Sequence, residues 1–175
     1  MSEHQFLSRF GDAAHCLRLL ERSQRELLSL LEGLTDPQLH ARSAPEVWSP
    51  AEVIEHTAKT EDSFARVIRR LRRAAKGENL PAVPVPAGQL SAQGKPVAPE
   101  ILQPKGMNRA ELEAALHNTR AFLLKEVRES GDLINHPATF THMFFGEVNA
   151  LGWLQCAVFH QRHHLDQIRE RLGGA

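Results

Sequence analysis

The chain has 175 residues, and its 21 Lys plus Arg balance 21 Asp plus Glu, so the formal net charge is zero. That balance argues against the basic surface by which a whole protein holds nucleic acid or an anionic membrane. Hydrophobic residues make up 42% and charged residues 24%, which excludes a disordered or collagen-like chain. The length suits one domain over residues 1–175, with a core that needs neither disulfides nor a structural metal. No apolar run approaches the roughly 20 residues that span a bilayer. The opening MSEHQFLSRFGDAAH lacks the basic start and apolar middle of a secretory signal. Two cysteines, Cys16 and Cys156, are too few for a disulfide framework, so a reducing cytoplasm is the expected compartment. Ten histidines and no tyrosine point to imidazole chemistry, if the chain has metal chemistry at all.

Four stretches read as helices and none as a strand. Over residues 4–32, Phe6, Leu7, Phe10, Ala13, Ala14, Leu17, Leu20, Leu27, Leu28 and Leu31 follow the three-and-four spacing of one helical face. Gly33 is expected to end that helix in a left-handed conformation. The second helix starts sharply: Ser49 is a natural N-cap, Pro50 suits the first helical position and Glu52 completes a capping box. Val53, Thr60, Phe64, Val67, Ile68 and Leu71 form its apolar face. Arg66, Arg69, Arg70, Arg72, Arg73 and Lys76 line its outer side, read as a solvated helix end rather than a phosphate-binding patch, because no aromatics interleave the charges.

Residues 77–107 break the pattern with six prolines and four glycines. They read either as a crossover connection or as a lid over a site. A third helix is expected over 109–130, capped by Asn108 with Glu111 in the box position and stopped by Gly131. Its inward side carries Leu112, Ala115, Leu116, Thr119, Phe122, Leu123 and Val127. Residues 132–146, which carry His136 and His142, read as a loop. A fourth helix is expected over 147–172, ending at Gly173 and Gly174. The fold class is therefore all-α, a four-helix bundle with a long Pro-rich crossover between helices two and three. A connection of that length fits a parallel pair, since antiparallel neighbours need only a few residues.

The chemistry concentrates in FHQRHHLDQI, residues 159–168. His160 and His164 lie one turn and about 40° apart, on the face shared with Trp153, Ala157 and Ile168, while His163 falls toward the polar edge. Two histidines at i and i+4 can ligate one ion, as in the HExxH helix. This segment lacks that Glu, which excludes the metalloprotease assignment. His56, at the edge of the buried stripe of helix two, is a third ligand that a facing helix could supply. On the residues alone, these histidines read either as ligands or as satisfied core residues.

Three segments resemble the DinB/YfiT-like metalloprotein superfamily: LEGLTDPQLHARSAPEVWSPAEVIEH at 31–56, HMFFGEVNALGWL at 142–154 and HQRHHLDQI at 160–168. The resemblance implies a four-helix bundle with a long connection between helices two and three. It implies metal ligation by His56, His160 and His164, and one divalent ion as cofactor, zinc or nickel first and iron or manganese after them. Characterised relatives include thiol S-transferases that use low-molecular-weight thiols and maleylpyruvate isomerases that use mycothiol. Others have been called metal-dependent hydrolases. The family name comes from DNA-damage induction and does not imply DNA binding.

The leading expectation is thus a metal-dependent thiol S-transferase acting on a small-molecule substrate, without nucleic-acid or membrane partners. Gln167 would orient a ligand from beside His164, and Glu52 is a base candidate that the capping box also explains. Cys156 reads as a small buried hydrophobe rather than a nucleophile. A hydrolase, a non-catalytic metal or ligand-binding module, and a structural homodimer with core histidines are the alternatives. Twofold assembly is a prior from the frequency of such oligomers.

Overall fold

The computed structural model describes residues 3–85 and 87–173, with side chains from residue 5 onward. Its frame is four long helices: α2 (Ala13–Gly33), α4 (Pro50–Ala75), α5 (Arg109–Ser130) and α6 (Ala150–Arg171). Two short helices, α1 (Glu3–Ser8) and α3 (Asp36–His40), precede α2 and α4. Asp12, Ser49, Asn108 and Asn149 each accept a backbone N–H at the start of a long helix. The boxes Ser49/Glu52 and Asn108/Glu111 are both closed, as the sequence predicts.

Cross-helix bonds establish direction. Glu61 meets Arg120, Arg69 meets Glu126 and Arg72 meets Glu129. Partner numbers rise together, so α4 and α5 run parallel, which is why residues 77–107 must travel the length of the bundle. His56 meets His160 while Phe64 meets Trp153, so α4 and α6 are antiparallel. Gln24 donates to the Leu116 carbonyl and Arg120 to that of Leu20, so α2 and α5 are antiparallel too.

The interior is two apolar halves with a polar layer between them. One half gathers Leu20, Phe64, Ile68, Leu123, Val127, Trp153 and Leu154. The other gathers Leu27, Leu31, Val53, Ile54, Leu112, Leu116, Leu165 and Ile168. Each such side chain stabilises the fold by roughly 1.5–3 kcal/mol on burial. Between the halves, the Arg120 guanidinium of α5 bonds Glu61 of α4, Gln161 of α6 and the Leu20 carbonyl of α2, touching all four long helices.

Several expectations are corrected. The helix expected over 4–32 is two helices, broken at Gly11, whose φ of 74° suits only glycine without strain. The apolar spacing runs on across the break, so periodicity does not reveal it. Gly33 is not left-handed; α2 ends when Leu34 turns extended, with φ −85° and ψ 139°. Gly131 does stop α5 with φ of 49°. Gly173 has a φ of 84° after α6, and Gly174 lies outside the described residues. The helix expected from 147 starts at Ala150, because residues 139–149 form a hairpin.

Four short strands stand where none was expected. β1 (Gln89–Leu90) pairs with β2 (Pro96–Val97) inside the crossover. β3 (Thr139–His142) pairs antiparallel with β4 (Gly146–Asn149), matching Phe140 to Val148 and His142 to Gly146. A 3-10 turn (Gly131–Asn135) precedes this second hairpin. The Trp153 indole N–H donates to the Phe140 carbonyl at 3.2 Å and ties the hairpin to α6. A Cβ on Gly88 would lie 2.8 Å from Phe144 Cε1, so the crossover packs closely on the tip of that hairpin. The basic side of α4 is largely paired: Arg69 and Arg72 converge on buried Glu126, and Arg66 and Arg73 bind Asp62 and Glu78. None of the helices over the described residues is long and apolar enough to cross a membrane.

Candidate metal centre

The antiparallel pair α4/α6 places His56 opposite His160 and His164. The i, i+4 spacing brings the two α6 rings together edge to face, with centroids 4.3 Å apart. The His56 ring stands 5.0 Å from His160 and 4.9 Å from His164. His56 Nε2 lies 3.1 Å from His160 Nε2, which lies 3.1 Å from His164 Nε2. His56 and His164 are 5% and 7% exposed, and His160 is half-buried.

Hydrogen bonds behind the rings fix their tautomers. His56 Nδ1 faces the Leu102 carbonyl at 2.8 Å. A carbonyl only accepts, so Nδ1 carries the proton and Nε2 a bare lone pair. His164 Nδ1 donates to Gln167 Oε1 at 2.8 Å, so its Nε2 is bare as well. The Gln167 amide donates in turn to His163 Nε2 at 2.9 Å. His163 therefore sits behind Gln167 and does not replace His164.

Two bare nitrogens thus face His160 Nε2, which can offer one proton at most. Aimed at one neighbour, that proton leaves the other bare nitrogen without a donor. Protonating a further ring is the costly remedy, because burial holds His56 and His160 below the ordinary imidazole pKa and pushes His164 down to about 3. The neighbouring imidazoles add to the effect on His160 and His164. A cation among the three nitrogens satisfies them all. Bonds of about 2.0–2.1 Å to one zinc-like ion put two imidazole nitrogens roughly 3 Å apart, so the donor set fits. The three-histidine cluster is compatible with metal binding.

Aromatic rings wall the cluster. Trp48 lies 5.0 Å from His56 between centroids, and Phe64 lies 5.9 Å from His160. His142, on the inward side of β3, lies 4.9 Å from both Trp153 and Phe145. Its Nδ1 accepts the backbone N–H groups of Phe144 and Phe145, so its proton is on Nε2. Burial pushes its pKa down to about 4. The loop expected over 132–146 contains His142, which lies instead on β3, and the alternation Thr139-Phe140-Thr141-His142 before Gly146 is the signal for that strand.

The remaining candidates fall elsewhere. The Glu52 carboxylate caps Ser49 N at 2.8 Å and pairs with Arg42. Cys156 is buried, and desolvation pushes its thiol pKa far up. His136 accepts the N–H of Ala138.

Fold and site together define a helical-bundle protein with three clustered histidines, two of them buried. The model of the DinB superfamily matches residues 19–168, and the chain belongs to that superfamily. It is similar to the uncharacterized protein YuaE of Bacillus subtilis (strain 168), with 21% identity over 160 residues, 88% of this chain and 95% of that one. It is also similar to the crystal structure of TT2238, described as a four-helix bundle protein. That chain is 38% identical with a TM-score of 0.66, over 90% of this chain and 98% of its own.

Proposed function

We propose that His56, His160 and His164 bind one divalent metal ion, and that the site performs thiol S-transfer with a low-molecular-weight thiol and a small electrophile. The observation that carries the metal reading is the set of three Nε2 atoms, two of them bare and each 3.1 Å from the third. A bound divalent ion supplies Lewis acidity, which favours the thiolate form of a thiol. The protein's own part is to hold three imidazoles neutral and aimed inward. His56 is aimed by the Leu102 carbonyl and His164 by Gln167. Trp48 and Phe64 set apolar ring surface beside His56 and His160. His142 presents an Nε2–H donor on the hairpin side.

Among the described residues, both carboxylates within one turn of His56 on α4 are engaged, which favours transfer over hydrolysis. Glu52 is engaged by Ser49 and Arg42, and Glu55 by Lys59 and three backbone amides. A thiolate nucleophile needs no such base, whereas activating water generally does.

The test is elemental analysis of protein purified without nickel affinity or chelators, beside a His160→Ala His164→Ala double variant. About one divalent ion per chain, lost in a variant that stays folded, supports the site. A wild type that stays empty after exposure to zinc, nickel, manganese and ferrous iron at neutral pH overturns it. Conjugation of a generic electrophile with added thiols, assayed against ester hydrolysis, then separates transferase from hydrolase. No turnover in either assay leaves a metal-binding module.

A further inference from the structure

Glu55 is 1% exposed and has no part in the scheme above, yet a buried carboxylate requires compensation. It accepts the backbone N–H groups of Lys105 at 2.7 Å, Gly106 at 3.0 Å and Met107 at 3.0 Å. Lys59, one turn on, pairs with it at 2.6 Å and also donates to the Gln103 carbonyl at 2.7 Å. Burial alone would raise the Glu55 pKa; the ammonium and the three amides outweigh it and hold the carboxyl below its ordinary value.

These bonds all fall on one stretch of the crossover. Residues 103–107 are fastened to α4 by Glu55 and Lys59, and Leu102, immediately before them, accepts the Nδ1 proton of His56. The Leu102 carbonyl can thus hold the His56 ring only while this strip stays on α4. Apart from the 3-10 turn Glu100–Leu102, the strip has no regular structure of its own. Among the described residues, Glu55 is the carboxylate whose oxygens receive its amides.

We propose that Glu55 is the positioning residue for His56: it holds segment 102–107 on α4 and thereby keeps the Leu102 carbonyl where it aims the His56 ring. The inference rests on the metal reading above. Linkage makes the effect reciprocal. An ion held by His56 steadies the strip, so the amides of Lys105, Gly106 and Met107 exchange with solvent more slowly in loaded protein than in metal-free protein.

The test compares wild type, Glu55→Gln, Lys59→Met and Glu126→Gln. Glu55→Gln keeps the shape but turns an N–H donor toward the amides. Glu126→Gln disturbs a buried carboxylate of α5, paired with Arg69 and Arg72 near the far end of α4, and controls for general destabilisation. Zinc affinity is read by competition with a chromogenic chelator, and ligand geometry by the visible absorption of the cobalt(II) form. Glu55→Gln is expected to bind zinc about 10–100-fold more weakly, with a shifted cobalt spectrum and faster exchange at residues 105–107. Glu126→Gln should keep wild-type affinity and spectrum. Wild-type affinity and spectrum in Glu55→Gln, or an equal loss in Glu126→Gln, overturns the inference alone. If Glu55→Gln does not fold, Lys59→Met decides: a several-fold loss supports the proposal and an unchanged affinity overturns it. A wild type that binds neither zinc nor cobalt removes the metal reading, and this inference with it.

Discussion

Arg120 grips Glu61 through two hydrogen bonds of 2.9 Å in the middle of the bundle, with both side chains almost fully buried. The pair is completed by Gln161, which bonds both partners, and by the Leu20 carbonyl. Removing one partner strands the other charge out of water. Glu61→Ala is therefore expected to cost about 3–5 kcal/mol, read as a lower urea midpoint with an unchanged slope. Replacing both residues by Met should recover much of that loss. A Glu61→Ala cost below about 1 kcal/mol would mean that water reaches the layer.

The histidines make the metal-free fold acid-sensitive, with a definite sign. Burial lowers His142 from 6.5 to about 4 and His164 from 6.5 to about 3, and His56 is also lowered. The unfolded chain thus binds protons that the folded chain refuses. Stability is fully present above about pH 6.5 and is lost as pH falls from there toward the folded values. His142 alone accounts for on the order of 3 kcal/mol across that window. Urea denaturation of metal-free protein at pH 7 and pH 4.5 should show the decline, and His142→Phe should flatten part of it. An equal slope in that variant would assign the acid sensitivity to other groups.

Gln167 and His163 should separate cleanly. Gln167 holds the Nδ1 proton of His164, whereas His163 only receives the far end of the amide. On the metal reading, Gln167→Leu weakens zinc binding by about 10–100-fold. His163→Ala leaves zinc binding within about twofold, since it removes no bond to a ligand ring. A chelator competition assay measures both. A large loss in His163→Ala would make it a ligand.

Glu52 offers a contrast between structure and chemistry. Ser49→Ala removes the cap that starts α4 and should cost about 1 kcal/mol. Glu52→Gln keeps a capping-box acceptor and loses only the Arg42 pair, so on the proposed function it should leave both zinc affinity and thiol-transfer rate near wild type. A large fall in rate with unchanged affinity would return Glu52 to the role of base.

How far the sequence could be read depended on which physical signal each feature leaves. Helical periodicity marks faces, so the shared face of His160 and His164 and the inward edge of α4 were legible. Caps mark beginnings, so Ser49 and Asn108 located α4 and α5. The break at Gly11 escaped because Phe10 and Ala13 keep one phase on either side of it. A Gly-Asp step before an apolar run was the available sign. The β3/β4 hairpin escaped because only four residues alternate before its turn. Arg120, Glu61 and Glu126 look like surface residues in isolation, since what permits their burial is a partner on another helix. The Leu102 carbonyl leaves no trace at all, because any residue there would supply one.

The crossover consists of two parts with unequal freedom to vary. Up to about residue 98 it is a tether that carries exposed Leu90 and the small β1/β2 hairpin, and its Gly88 packs against Phe144 at the tip of the β3/β4 hairpin. From Pro99 onward it is a strap whose backbone is in register with His56, Glu55 and Lys59. Length changes in the tether leave that register alone, while a single inserted residue in the strap displaces the carbonyl that His56 needs. Length variation in the crossover therefore has a natural boundary near residue 98, and within the tether Gly88 is the position whose packing on Phe144 limits it.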